Sequence, residues 1–141
     1  MSDPFHLARF VEAQHATYAR ALNELQTGHK TSHWMWFIFP QLRGLGRSEM
    51  AERYGISGRQ EASAYLAHEV LGGRLERCTS ALMQHSDKSA LQILGSPDDL
   101  KLRSCLTLFS AVDSGNPLWQ MALLQFFDGR PDAATLGLLD R

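Results

Sequence analysis

Isoleucine and valine are scarce in this chain, three of each in 141 residues. So few β-branched aliphatics leave little material for strands, and the leucine- and alanine-rich apolar set favours helix. Cysteine is scarcer still. Cys78 and Cys105 alone cannot build a disulfide framework or a zinc ribbon, and free thiols suit a reducing compartment. An excess of one charge is also missing. With a formal net charge of -1, no global basic field draws the chain to nucleic acid or to an anionic membrane, so any anion site must be local. No apolar run approaches the ~18 residues of a membrane span. The segment Met1-Ser2-Asp3-Pro4-Phe5-His6 lacks the basic region and apolar core of a signal peptide. The expectation is a soluble cytoplasmic chain with no cofactor and with neither nucleic acid nor membrane as partner.

What is present reads as helix. The length suits a single domain over residues 1–141 with a sizeable core. Asp3-Pro4 is a helix start. Leu7, Phe10, Val11, Gln14, Tyr18, Ala21, Leu22 and Leu25 then recur at three- and four-residue steps, predicting one amphipathic helix ended by Gly28. Gln14 interrupts that stripe and needs partners if buried. Thr31 or Ser32 can cap a short helix, stopped at Pro40. Further helices are predicted over 48–54, 59–67, 70–83, 90–94, 96–112, 117–129 and 132–139, opened by caps such as Ser48, Ser96, Asn116 and Asp132 and closed by glycines. The fold class is all-α, a compact orthogonal bundle of about eight short helices.

The densest feature is Ser32-His33-Trp34-Met35-Trp36-Phe37-Ile38-Phe39-Pro40-Gln41, followed by Leu42-Arg43-Gly44-Leu45-Gly46-Arg47-Ser48. By length the apolar run suits strand or helix. The lack of a partner strand favours a central, buried helix. Together with Asp3-Pro4-Phe5, Arg9-Phe10-Val11, Val70-Leu71-Gly72, Lys101-Leu102-Arg103-Ser104, Thr107-Leu108-Phe109 and Phe126-Phe127, this segment resembles the signature of the DUF1810 family, a domain of unknown function. The resemblance covers nearly the whole chain and implies a mainly helical single domain. It implies no reaction. Some members carry the label calpastatin, but an inhibitor of that type would be disordered and repetitive, and this chain is neither. Glu69, Leu94 and Cys105 depart from the family pattern, which has proline, phenylalanine and serine there.

The leading functional expectation is a pocket for an anionic, nucleotide-derived small molecule. Ser32 opens a helix, leaving backbone N–H groups free for a ligand. Lys30, Arg43 and Arg47 flank it, Gly44 and Gly46 permit close backbone approach, and Ser48 opens the next helix. Trp34 or Trp36 offers a ring to stack on. Gln14 and Gln41 add amides. Lys101, Arg103 and Ser104 complete the pocket if their helix turns inward, with Asp98 one turn before Lys101. Two other readings stand beside it: a protein-interaction or scaffold module whose aromatic run is only core, and an enzyme using His33 as general acid or base. His29 and His33 lack a metalloprotease pattern, so no metal is expected.

Overall fold

The computed structural model describes residues 2–140. Met1 and Arg141, the ends of the expected domain, lie outside them. Ten helices follow in order: α1 (Ala8–His15), α2 (Tyr18–Thr27), α3 (Met35–Ile38), α4 (Glu49–Tyr54), α5 (Arg59–Ala67), α6 (Leu71–Met83), α7 (Ala90–Leu94), α8 (Asp98–Val112), α9 (Pro117–Phe127) and α10 (Ala133–Leu139). The described residues form no strand, only an isolated parallel bridge between Leu42 and Ile56. The fold is all-α. No helix among the described residues is long and apolar enough to cross a membrane.

Most start signals work as local chemistry predicts, but Ser96 caps nothing: α8 begins after Pro97 without a side-chain cap. Ser48, Ser89, Asn116 and Asp132 each accept a hydrogen bond from a backbone N–H in the first turn of α4, α7, α9 and α10. Asp3 accepts from Leu7 N at 2.8 Å and Ala8 N at 3.0 Å.

The predicted helix from Asp3 to Gly28 is broken at Ala16–Thr17 into α1 and α2. Its two halves have different partners, α1 packing on α3 and α2 on α6. Gln14, in the last turn of α1, is buried and tied down. Its Nε2 donates to Phe37 O at 2.7 Å and to Tyr65 Oη at 3.3 Å, and its Oε1 accepts from Arg74 at 3.2 Å.

The aromatic run is buried as expected, and it shares the centre of the fold with α8. That helix packs against α5, α7, α9 and α10, and every residue from Ser104 to Ser110 is buried. Phe10, Tyr65, Phe109 and Trp119 form a chain of ring contacts through the core. The aromatic run belongs to the same core, with Trp34, Met35, Phe37, Ile38 and Phe39 buried in it, the residues from Met35 to Ile38 forming α3.

Candidate functional site

One carboxylate organises the connection between α2 and α3. Glu24 is 7% exposed. Its Oε1 accepts hydrogen bonds from Thr31 N at 2.8 Å, Ser32 N at 3.1 Å and Trp34 Nε1 at 2.9 Å, and its Oε2 accepts from Ser32 Oγ at 2.6 Å. Burial pushes the carboxyl toward its neutral form, but donation from Ser32, Thr31 and Trp34 outweighs it and holds the pKa at about 2. This corrects the reading of Ser32 as an open anion cradle: its N–H is taken by the chain's own anion. Nor does Ser32 cap α3, which begins after Trp34 without a side-chain cap. Trp34 is fully buried at 0% exposure, so it stacks on no ligand.

Beyond this node the two lysines converge. Lys30 Nζ lies 2.9 Å from Asp98 Oδ2, and Lys101 Nζ lies 3.5 Å from Asp98 Oδ1. Two ammonium groups share one carboxylate, leaving one positive charge uncompensated within the triad. Each lysine also sits over a tryptophan ring, Lys30 over Trp34 at 5.1 Å and Lys101 over Trp36 at 4.7 Å.

The loop after Pro40 is pinned from both sides. Ile56 N donates to Gln41 O at 2.9 Å and Arg43 N donates to Ile56 O at 2.8 Å. A Cβ on Gly46 would stand 2.8 Å from Ala51 Cβ, so only glycine lets the loop lie this close to α4. Gln41, Leu45 and Gly46 then face Leu100, Lys101 and Ser104 of α8 and Asp132 across a cleft of about 330 Å³. Gln41 and Lys101 also border a tight apolar slot of about 10 Å³ with Trp36, Met50 and Tyr54. Ser104 Oγ lies 3.1 Å from Asp132 Oδ2 and 3.3 Å from Leu100 O. Asp132 Oδ2 accepts in addition from Thr135 N at 3.0 Å and Thr135 Oγ1 at 2.5 Å.

Of the residues singled out in the sequence, the fold therefore brings Trp36, Gln41, Gly46, Lys101 and Ser104 to one place, with Lys30 adjacent through Asp98. The others go elsewhere. Gln14 is committed to Phe37, Tyr65 and Arg74. Arg43 does not line the cleft and instead donates to Glu52 O at 3.2 Å and Gly55 O at 3.1 Å. Gly44 makes a turn at φ 103. Ser48 is spent as the cap of α4. Arg103 braces α8 against the turn before α10 through Arg130 O at 2.8 Å and Pro131 O at 2.9 Å. Arg47 and His33 are exposed and border neither the cleft nor the slot. No hydrogen bond among the described residues gives His33 a partner to orient it for proton transfer.

Glu24 and Asp132 belong to the site's framework and were not legible as such. Glu24 sits one position before Leu25 on the inward stripe of α2, a signal visible in the sequence. Asp132 read only as a helix cap, and nothing in its spacing placed it beside Ser104. Among the described residues no group of three or more His, Cys, Asp or Glu side chains is arranged to hold a metal ion.

Comparison with known proteins gives a consistent picture. No curated protein matches the chain. The crystal structure of the conserved hypothetical protein Rv1873 from Mycobacterium tuberculosis is similar over 99% of both chains, at 48% identity and a TM-score of 0.97. The family described as Protein of unknown function (DUF1810) matches residues 4–139, nearly the whole chain, and the chain belongs to that family.

Proposed function

We propose that this protein binds a small molecule carrying a flat ring and an anionic group, of the nucleotide-derived class, in the cleft between the Gln41–Gly46 loop and α8. The observation that carries this reading is the Lys30–Asp98–Lys101 triad, which leaves one positive charge where the cleft adjoins the slot bordered by the Trp36 ring. The Lys101 ammonium now covers the Trp36 ring. A ligand ring takes that place, and the ammonium, on a flexible stem, swings to the anionic group. The Gln41 side chain supplies donor and acceptor groups at the junction of slot and cleft. Asp132 is the counterweight, but its charge is already spread over three donors. The buried free thiols Cys78 and Cys105 support a reducing, cytoplasmic setting.

The test is a titration of nucleotides, ADP-ribose and sugar phosphates followed by tryptophan fluorescence and thermal shift. Saturable quenching is expected, weakened about tenfold by Lys101→Met, since one charge-assisted hydrogen bond is worth roughly that factor. Absence of any response across the set removes the proposal. One observation favours the interaction-module reading instead. Met121 and Leu124, one turn apart on α9, are 54% and 67% exposed. Reproducible capture of a single protein partner, lost in Leu124→Lys and joined to no small-molecule response, is the outcome that reading requires.

A further inference from the structure

A second cleft, of about 570 Å³, lies between α4 and the N-terminal turn with α1. Its polar lining consists of the His6 imidazole and the side chains of Arg9, Glu12, Arg43, Glu52 and Arg53. Arg9 is a strut. Its five N–H groups match five acceptors: Arg53 O at 2.8 Å, Phe5 O at 2.6 Å, His6 O at 2.9 Å, Gly55 O at 3.0 Å and Glu61 Oε2 at 2.7 Å. The Glu61 carboxylate cancels its charge in a buried ion pair. These bonds fix the floor of the cleft and hold the turn in which His6 adopts φ 51, a left-handed conformation that costs a histidine energy and needs support from its surroundings.

Four full charges remain once Arg9 and Glu61 are set aside, two of each sign: Arg43, Arg53, Glu12 and Glu52. None of the four takes part in an ion pair among the described residues. The Arg43 guanidinium is oriented by the carbonyls of Glu52 and Gly55, not by a carboxylate. The Arg53 guanidinium lies 5.6 Å from the centre of the Tyr54 ring and donates no hydrogen bond to a described residue. Neither the Glu12 nor the Glu52 carboxylate accepts a hydrogen bond from a described residue. Opposite charges that share a cleft without pairing present donors and acceptors of both signs to a third party. A pure anion meets Glu12 and Glu52, and a pure cation meets the arginines. A ligand with a carboxylate at one end and an ammonium at the other satisfies both sets, with the guanidinium forks matched to the carboxylate.

We propose that this cleft binds a zwitterionic ligand, a free amino acid or short peptide with both termini unblocked, its carboxylate on Arg43 and Arg53 and its ammonium on Glu12 and Glu52. The site is separate from the Lys101 cleft and does not depend on it. The test uses the full chain labelled for amide NMR, titrated with alanine and its linear oligomers up to the tetramer, and with citrate and putrescine as single-sign probes. Saturable shifts are expected for at least one zwitterion, located in Phe5–Ala13 and Glu52–Gly55 and not around Gly46 or Lys101. N-acetylation or C-amidation of that ligand is expected to weaken it about tenfold each.

Arg53→Ala, which leaves Arg43 in place, is expected to narrow the difference in affinity between the acid and its amide, and Glu12→Gln, which leaves Glu52, to narrow that between the free and the acetylated amine. Neither side chain makes a hydrogen bond among the described residues, so both variants are expected to remain folded. Arg20→Ala removes an exposed charge outside the cleft and leaves binding unchanged. The proposal is overturned if no zwitterion gives saturable shifts or if blocked and free termini bind alike. It is equally overturned if citrate or putrescine binds more tightly than every zwitterion, or if the shifts fall at Gly46 and Lys101.

Discussion

Replacing Glu24 by glutamine tests whether the four donors that converge on this carboxylate hold the α2–α3 connection. The side chain keeps its shape. Its amide oxygen can still accept from Thr31 N, Ser32 N and Trp34 Nε1, and its NH₂ can donate to Ser32 Oγ. What is lost is the charge. Hydrogen bonds to a charged acceptor contribute about 1.5–3 kcal/mol each, against about 0.5–1.5 for neutral ones. Three weakened bonds therefore cost about 3 kcal/mol, reduced because an amide is cheaper to bury than a carboxylate. The expected net loss near neutral pH is about 1–3 kcal/mol, a large share of the roughly 5–15 kcal/mol that holds an ordinary domain together. Titration gives a compatible bound. A carboxyl held at about 2 in place of 4.5 contributes at most about 3 kcal/mol, less after solvent screening.

The pH dependence separates this explanation from simple misfit. The native pKa of Glu24 is below its unfolded value, so its stabilisation is complete above about pH 5 and is lost as pH falls through 4.5 toward 2. The glutamine variant has no such contribution to lose. Urea unfolding followed by circular dichroism, at neutral pH and again near pH 3, should show the gap between the two proteins closing as pH falls. A gap equally large at both pH values, or none at neutral pH, refutes the assignment of the stabilisation to the ionised carboxylate.

Two adjacent glycines of α6 should respond oppositely to alanine. A Cβ on Gly72 would stand 2.1 Å from Leu66 O, whereas one on Gly73 meets nothing within 4 Å. Gly72→Ala is therefore expected to cost about 3 kcal/mol or more, and Gly73→Ala to gain about 0.5–1 kcal/mol from helix propensity, both read from chemical denaturation. Burial pushes the Cys78 thiol up to about 12 and the Cys105 thiol well above its ordinary range. Iodoacetamide at neutral pH should thus modify neither in the folded protein and both after denaturation, as counted by mass spectrometry.

Much of the helical pattern was legible because it rests on local chemistry. Ser48, Asn116 and Asp132 cap helices for reasons contained within four residues of sequence. The break at Ala16–Thr17 was not legible. The apolar stripe runs straight through it, and only the separate docking of α1 on α3 and α2 on α6 decides that the chain bends. The site divides in the same way. Lys101 and Ser104 share a side of α8 by spacing alone, and Asp98 reads as a partner for Lys101. That Lys30 would claim the same carboxylate, or that Arg43 would be taken up by the carbonyls of Glu52 and Gly55, depends on how separate segments pack together.

The aromatic run shows how far periodicity can go once one contact is known. Trp34 and Trp36 are two positions apart, about 200° around a helix, so a helical segment cannot present both rings to one surface. Glu24 settles which ring goes inside, because it receives Trp34 Nε1 within the buried α2–α3 connection. Met35, Phe37 and Ile38 are buried around it, which leaves Trp36 at the boundary, under Lys101. Trp119 is also fully buried, so of the chain's three tryptophans Trp36 alone borders the slot that adjoins the cleft. A ligand-dependent change in emission must then come from Trp36. Trp36→Phe should keep the fold and the thermal shift by ligand while abolishing the fluorescence response. A response that survives this substitution would mean that ligand perturbs a buried tryptophan from elsewhere, and the cleft beside Lys101 would no longer be the place where it binds.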